Sequence, residues 1–264
     1  MSDLSDNSST SDQFVFAHGF TQTARSWSDF EGLLTHLLPD ITTLAVDLPG
    51  HGSAADLKGD LWASAAHLVS QGGRAIYVGY SMGGRVGLHA ALAHPDRVES
   101  LVLIGATAGL DSQSERQQRR SADEALATRI ESIGVAAFID EWLANPLFAG
   151  LTEEQSQRAD RLRNTSEGLA ASLRSTGTGT QEPLWDMLAE IDIPVLVIAG
   201  ERDDKFRAIG ERLAVGLPRS IFEVVPDAGH SVHLEQPAST AQILSDWHVG
   251  LTRDFDSPAE REAN

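Results

Sequence analysis

A chain of 264 residues with no cysteine has the length of one α/β domain around a single core, and it excludes a disulfide framework, a thiolate metal site and a cysteine nucleophile. Its 38 acidic against 20 basic side chains, a net charge of -18, repel nucleic acid and anionic membrane surfaces, so neither is expected as a partner. Residues 1–12 carry no basic cluster and no apolar run, and no later stretch holds the roughly 18 apolar residues of a membrane span; a cytoplasmic protein is the expectation.

In chain order, residues 1–12 are rich in Ser and Asp and read as disordered. Short apolar runs then alternate with amphipathic stretches in the βαβ rhythm of a mostly parallel sheet with helices on both faces. Strands are predicted at 14–17, 43–46, 75–79, 98–104, 195–199 and 221–225, and helices at 27–37, 61–70, 82–94, 206–215 and 237–247. After Leu110 the strand pattern stops, and apolar residues recur at helical spacing, as in Leu126, Ile130 and Ile133 or Phe138, Trp142 and Leu143. The reading is a core at 13–110 and 185–250, a helical cap at 111–184 over the ligand-binding end of the sheet, and a tail at 251–264.

Three predicted loops carry the chemistry. Gly79-Tyr80-Ser81-Met82-Gly83 fits the pattern G-x-S-x-G between a strand and a helix, where a strained turn projects a serine hydroxyl above the sheet. The Met82 N–H then lies at a helix N-terminus, which favours a developing negative oxygen. His18-Gly19-Phe20 follows the first strand and can aim the Phe20 N–H at the same point, giving a two-donor oxyanion hole, with His18 orienting the loop. Asp47-Leu48-Pro49-Gly50-His51-Gly52 reads as supporting turn chemistry.

A serine needs a base whose tautomer a third group fixes. Of nine histidines, His230 sits in the glycine loop after the last predicted strand, and Asp203 sits in the equivalent loop after the strand before it. The chain order is Ser81, Asp203, His230; Asp204 and His233 are the neighbouring rivals. Arg85 follows Ser81 by one helical turn and can face the same site.

With these residues in place, the sequence resembles the 2-succinyl-6-hydroxy-2,4-cyclohexadiene-1-carboxylate synthases of the α/β-hydrolase superfamily. The specific motifs are Gly79-Tyr80-Ser81-Met82-Gly83-Gly84-Arg85, Gly200-Glu201-Arg202-Asp203-Asp204-Lys205-Phe206, Glu141-Trp142-Leu143-Ala144-Asn145-Pro146-Leu147-Phe148 and Leu173-Arg174-Ser175-Thr176-Gly177-Thr178-Gly179-Thr180-Gln181. The resemblance implies an α/β-hydrolase fold with a cap insertion, and a lyase that eliminates pyruvate from 2-succinyl-5-enolpyruvyl-6-hydroxy-3-cyclohexene-1-carboxylate with no cofactor and no metal. It implies that Ser81, activated by His230, abstracts a proton while the Phe20 and Met82 amides hold the oxyanion. It further implies that Tyr80, Arg85, Arg119, Trp142 and Arg163 bind a small polycarboxylate substrate, Arg120 being the residue that a one-position shift puts in place of Arg119. Only about 13 residues precede the first strand, where family members usually carry a β-hairpin, so either those edge strands are missing or the start differs.

A carboxylesterase or carbon-carbon hydrolase would use the same triad for covalent catalysis, and a non-catalytic ligand receptor could share the fold. Nothing in the sequence gives an oligomeric state. Lys58 and Lys205 are the only lysines, and such an acidic, lysine-poor chain fits either a high-salt cytoplasm, where carboxylate repulsion is screened, or an arginine-biased genome. In the first case the thermal midpoint rises steadily from low salt into molar KCl. A flat or falling midpoint in a melting series would leave genome bias as the explanation.

Overall fold

The computed structural model describes residues 13–256; the disorder expected at 1–12 and any hairpin there fall outside the described residues. Six strands form one parallel sheet in the order β2-β1-β3-β4-β5-β6: β1 (Gln13–Ala17), β2 (Thr42–Val46), β3 (Ala75–Tyr80), β4 (Val98–Ile104), β5 (Val195–Gly200) and β6 (Ser220–Val225). Their side chains alternate between two cores, as the pleat requires. Val15, Ala17, Tyr77, Leu101, Leu103, Val195 and Val197 face α2 (Leu61–Gly72), α3 (Met82–Ala93) and α7 (Asp204–Gly216). Phe14, Phe16, Ile76, Val78, Tyr80, Val102, Ile104, Leu196 and Ile198 face α1 (Ser28–Leu37), the single-turn α8 (Val232–Glu235) and α9 (Pro237–Asp256). The six predicted strands and five predicted core helices correspond to these elements within a few residues at each end. The last helix is the exception: it runs on to Asp256, into the stretch expected as a tail, and carries Gly250 within it without ending there.

Between β4 and β5 lie α4 (Gln113–Leu143), the single-turn α5 (Arg158–Arg161) and α6 (Ser166–Thr176). Gly134 breaks α4 at φ 80°, and the two halves fold back so that Ala127, Ile130, Phe138 and Ile139 share a small core with Leu169, Ala170 and Leu173 of α6. Phe20, from the loop after β1, packs against this cluster and joins cap to core.

The chain leaves β1 towards β2 on one side and returns to β3 on the other, so the loops after β1 and β3 diverge at the C-terminal end of the sheet. This is the crevice in which open parallel sheets bind ligands. There α3 packs on the strands without room for side chains: a Cβ at Gly83 would lie 2.0 Å from the Ala17 carbonyl oxygen. Farther along the same helix a Cβ at Gly87 meets only the tip of Leu101, at 2.8 Å. Gly83→Ala is therefore expected to destabilise by more than the roughly 1–3 kcal/mol of ordinary overpacking. Gly87→Ala, which gains about 1 kcal/mol of helix propensity, should be near neutral. Urea denaturation of the two variants checks the ordering, and equal effects would contradict the close helix-strand contact.

Candidate active site

Ser81 links β3 to α3 at φ 51° and ψ -104°, outside the regions that a residue with a Cβ favours. Its backbone is fixed on both sides, the N–H donating to the Ile104 carbonyl at 2.8 Å and the carbonyl accepting from the Arg85 N–H at 3.2 Å. Met82 opens α3, so its N–H is one of the amides that lack an acceptor within their own helix.

Asp203 caps α7, with Oδ1 accepting from the Phe206 N–H at 3.1 Å and Oδ2 accepting from His230 Nδ1 at 2.8 Å. Burial would raise the carboxyl, but the hydrogen bonds from His230 and Phe206 outweigh it and hold Asp203 below its ordinary range. With its proton on Nδ1, the His230 imidazole has Nε2 available as a base. The ring lies 4.4 Å from Phe206 and 5.3 Å from Tyr80, and its loop is held by Glu235, whose carboxylate accepts from the Gly229 and Ser231 amides at 2.7 and 3.0 Å. Asp204 instead points to solvent, 96% exposed, near Arg207. His233 is buried at 4.4 Å from Trp27 and 4.5 Å from Tyr80, outside the Asp203–His230 pair.

The loop after β1 rests on two neutral histidines. His18 donates from Nδ1 to the Gly19 carbonyl at 2.9 Å and accepts the Leu48 N–H on Nε2 at 3.0 Å. His51 donates from Nδ1 to the Pro49 carbonyl and accepts the Thr21 N–H on Nε2, at 3.2 and 3.3 Å. Burial lowers both, His51 to about 3.

Ser81, Met82, His230 and Phe20 border a cavity of about 410 Å³ between sheet and cap. Its wall includes Tyr80, Trp142, Phe148, Phe206 and four cationic side chains, Arg85, Arg119, Arg161 and Lys205. Arg85 is buried and donates to the Thr176 carbonyl at 2.7 Å; burial first, then the nearby Arg119, lowers it to about 10, against the pull of Asp123. Arg119 donates through Nε to the buried Asp123 at 2.7 Å, while Arg120 turns to the Gly179 carbonyl. The Trp142 Nε1–H is buried with no hydrogen-bond partner among the described residues. The Tyr80 hydroxyl is turned away to Ser231 Oγ, 2.7 Å distant, so the tyrosine offers the cavity its ring. Among the described residues no group of three or more His, Asp or Glu side chains is arranged to hold a metal ion, and no helix is long and apolar enough to cross a membrane.

The sequence profile described as the Alpha/beta hydrolase family matches residues 14–243. A Bacillus subtilis (strain 168) protein provisionally named 2-succinyl-6-hydroxy-2,4-cyclohexadiene-1-carboxylate synthase is 38% identical over 255 residues, covering 91% of this chain and 92% of that one. An Escherichia coli O1:K1 / APEC protein of the same name, without the qualifier, is 33% identical over 242 residues, or 87% and 92% of the two chains. The solved structure of MenH from S. aureus matches with a TM-score of 0.84 at 28% identity, over 94% of this chain and 96% of that one. The chain belongs to the α/β hydrolase family, among these synthases.

For this hydrolase-family chain one expected ligand needs correction. Arg163 is exposed, in a separate cleft beside Thr23, Arg25 and Asp47, and does not border the cavity. Arg161 ends α5 and Arg163 lies in the turn beyond it, and Arg161 is the one turned inward, 1% exposed and 5.8 Å from the Phe148 ring centre. Burial lowers Arg161 to about 10. Both arginines lie in Arg158-Ala159-Asp160-Arg161-Leu162-Arg163, and only packing tells them apart. Lys205 also borders the cavity, and its place in the Gly200–Phe206 motif does not by itself point it there. Glu235 was missed because it acts through backbone amides.

Burial also lowers His233 to about 3 and His89 to about 4. Each stays neutral when folded but protonates near 6.5 when unfolded, so its contribution is complete above about pH 6.5 and is lost as pH falls toward 4. Unfolding free energy should therefore drop from pH 7 to 4.5, by up to about 1.4 kcal/mol per unit for each such histidine. His233→Phe should make the slope shallower, and an unchanged slope in urea titrations across this range would show that His233 is protonated in the native state.

Proposed function

We propose that this protein eliminates pyruvate from 2-succinyl-5-enolpyruvyl-6-hydroxy-3-cyclohexene-1-carboxylate, as the names of its relatives suggest, without a cofactor. The observation that carries the proposal is the meeting of Arg85, Arg119 and Arg161 in one cavity with Ser81 and His230, inside a protein of net charge -18. A substrate with three carboxylates needs such a local reversal of charge, and the planar guanidinium meets a carboxylate with two hydrogen bonds. A pocket for a neutral ester would need none.

In this reading Ser81 transfers its hydroxyl proton to His230 Nε2 as it takes the proton from the ring carbon that bears the succinyl group. The released electron pair moves onto the succinyl oxygen, giving an enolate, and the Phe20 and Met82 amides stabilise that charge as it forms. Collapse of the enolate shifts the ring double bond and breaks the carbon-oxygen bond to the enolpyruvyl group. The departing pyruvate enolate takes back a proton from the imidazolium, which leaves the enzyme unchanged. Asp203 stays ionised and stabilises the imidazolium meanwhile. No acyl-enzyme forms, so a base, an oxyanion site and a cationic wall suffice. A cytoplasmic enzyme without nucleic-acid or membrane partners accords with this reading.

Ser81→Ala should lower kcat by about 10² to 10⁴, the usual loss for a positioned base, with less change in KM. Replacing Arg85, Arg119 or Arg161 by Ala should each reduce kcat/KM for pyruvate release about ten- to hundredfold, the equivalent of one charge-assisted hydrogen bond. Hydrolysis of a small neutral ester, where measurable, should change little in Arg85→Ala and Arg119→Ala. Arg163→Ala should stay within about twofold, as for a surface substitution. Equal losses on both substrates in the Arg85 and Arg119 variants, or a loss at Arg163 matching that at Arg161, would reject the assignment.

A further inference from the structure

The loop that carries the Phe20 amide contains a strained residue. Thr21 sits at φ 70°, in the left-handed region, where a β-branched side chain is an outlier that persists only if its surroundings over-determine it. Every polar group of Thr21 is engaged. Its N–H donates to His51 Nε2 at 3.3 Å, its Oγ1 accepts from Arg161 Nη1, and its carbonyl accepts from Asn164 Nδ2 at 2.6 Å. His51 belongs to the core, but Arg161 and Asn164 belong to the cap. Asn164 is buried, donates also to the Arg161 carbonyl at 3.0 Å, and accepts the Gly52 N–H on Oδ1 at 3.0 Å. It therefore ties the loop after β1, the loop after β2 and the cap together at one amide group.

We propose that Asn164, with Arg161, is a positioning residue for the oxyanion site: the two hold Thr21 left-handed and thereby set the direction of the adjacent Phe20 N–H. This rests on the reading of Phe20 as an oxyanion donor. The cap then does more than cover the substrate, since it supports half of the site that receives the negative charge. Arg161 also borders the cavity, so its removal would mix two effects. Asn164 does not border it, and its substitution isolates the positioning role.

The test compares wild type with Asn164→Ala, using the amide resonance of Phe20 in protein labelled with ¹⁵N-phenylalanine, and kcat and KM for pyruvate elimination. The resonance should move, and kcat should fall on the order of tenfold to a hundredfold with little change in KM, as for a misplaced transition-state contact. Adding Thr21→Gly, which adopts positive φ without a Cβ penalty, should return part of the lost kcat. An asparagine needed only for stability would not be rescued by a glycine that loosens the chain further. An unmoved resonance in the folded variant, or a loss of kcat that Thr21→Gly does not relieve, overturns the proposal. A moved resonance with full kcat removes Phe20 from the oxyanion site and so overturns the underlying reading instead. Should Asn164→Ala fail to fold, Asn164→Asp keeps the acceptor for Gly52 and loses the donor to Thr21, and the same measurements decide.

Discussion

The first turn of α3 lies directly on the ends of β1 and β3, and most of the site depends on that contact. A Cβ at Gly83 would approach the Ala17 carbonyl oxygen to 2.0 Å, and one at Gly79 would approach the Gly83 carbonyl oxygen to 2.4 Å. With helix and strands fixed this closely, the turn between them is short, and Ser81 absorbs the bend at φ 51°. The same contact points the N-terminus of α3 at the cavity and brings Arg85 to it one turn later. Because Ala17 ends β1, it also fixes the start of the loop that carries Phe20.

Charge is arranged on two levels. Exposed cap arginines pair with acidic neighbours, Arg129 with Glu141, Arg158 with Asp140, and Arg174 with Glu124 and Glu131. Such pairs contribute little to stability. Arg85 and Arg161 are different, because burial disfavours their charge yet leaves both protonated near neutrality. An uncompensated buried cation is costly, and Asp123 beside Arg119 offsets only part of it. The surplus of positive charge within an acidic protein is what an anionic substrate would neutralise, and the low-dielectric walls concentrate the field that draws it in.

The cap has its own small apolar core, which orders α4 and α6 against each other. Its attachment to the sheet domain is mixed. Phe20 packs edge-on to Trp142 and Phe138, at 5.3 and 6.5 Å, while Thr23 donates to Asp160 at 2.7 Å and Arg161 and Asn164 hold Thr21. A polar attachment of this kind fixes direction where an apolar one would allow sliding, because each hydrogen bond has a preferred geometry.

Periodicity made the sheet and its flanking helices legible, since the four inner strands are apolar on both faces and most of the flanking helices on one. The residues at the ends of those strands were legible for the same reason: once β3, β5 and β6 are located, Ser81, Asp203 and His230 fall in the loops that follow them. The sequence also indicated that arginines collect in the cap, through motifs that resemble those of the synthases. Which arginine faces the cavity was decided by tertiary structure, because Arg161 at the end of α5 and Arg163 in the turn beyond it stand two positions apart in the same local sequence, and burial against Phe148 settles the choice. The left-handed Thr21 and its ties to Asn164 were invisible for the same physical reason. Local sequence specifies the period of an element, whereas a strained loop residue is fixed by side chains more than a hundred positions away in the chain, whose approach exists only after cap and sheet have packed together.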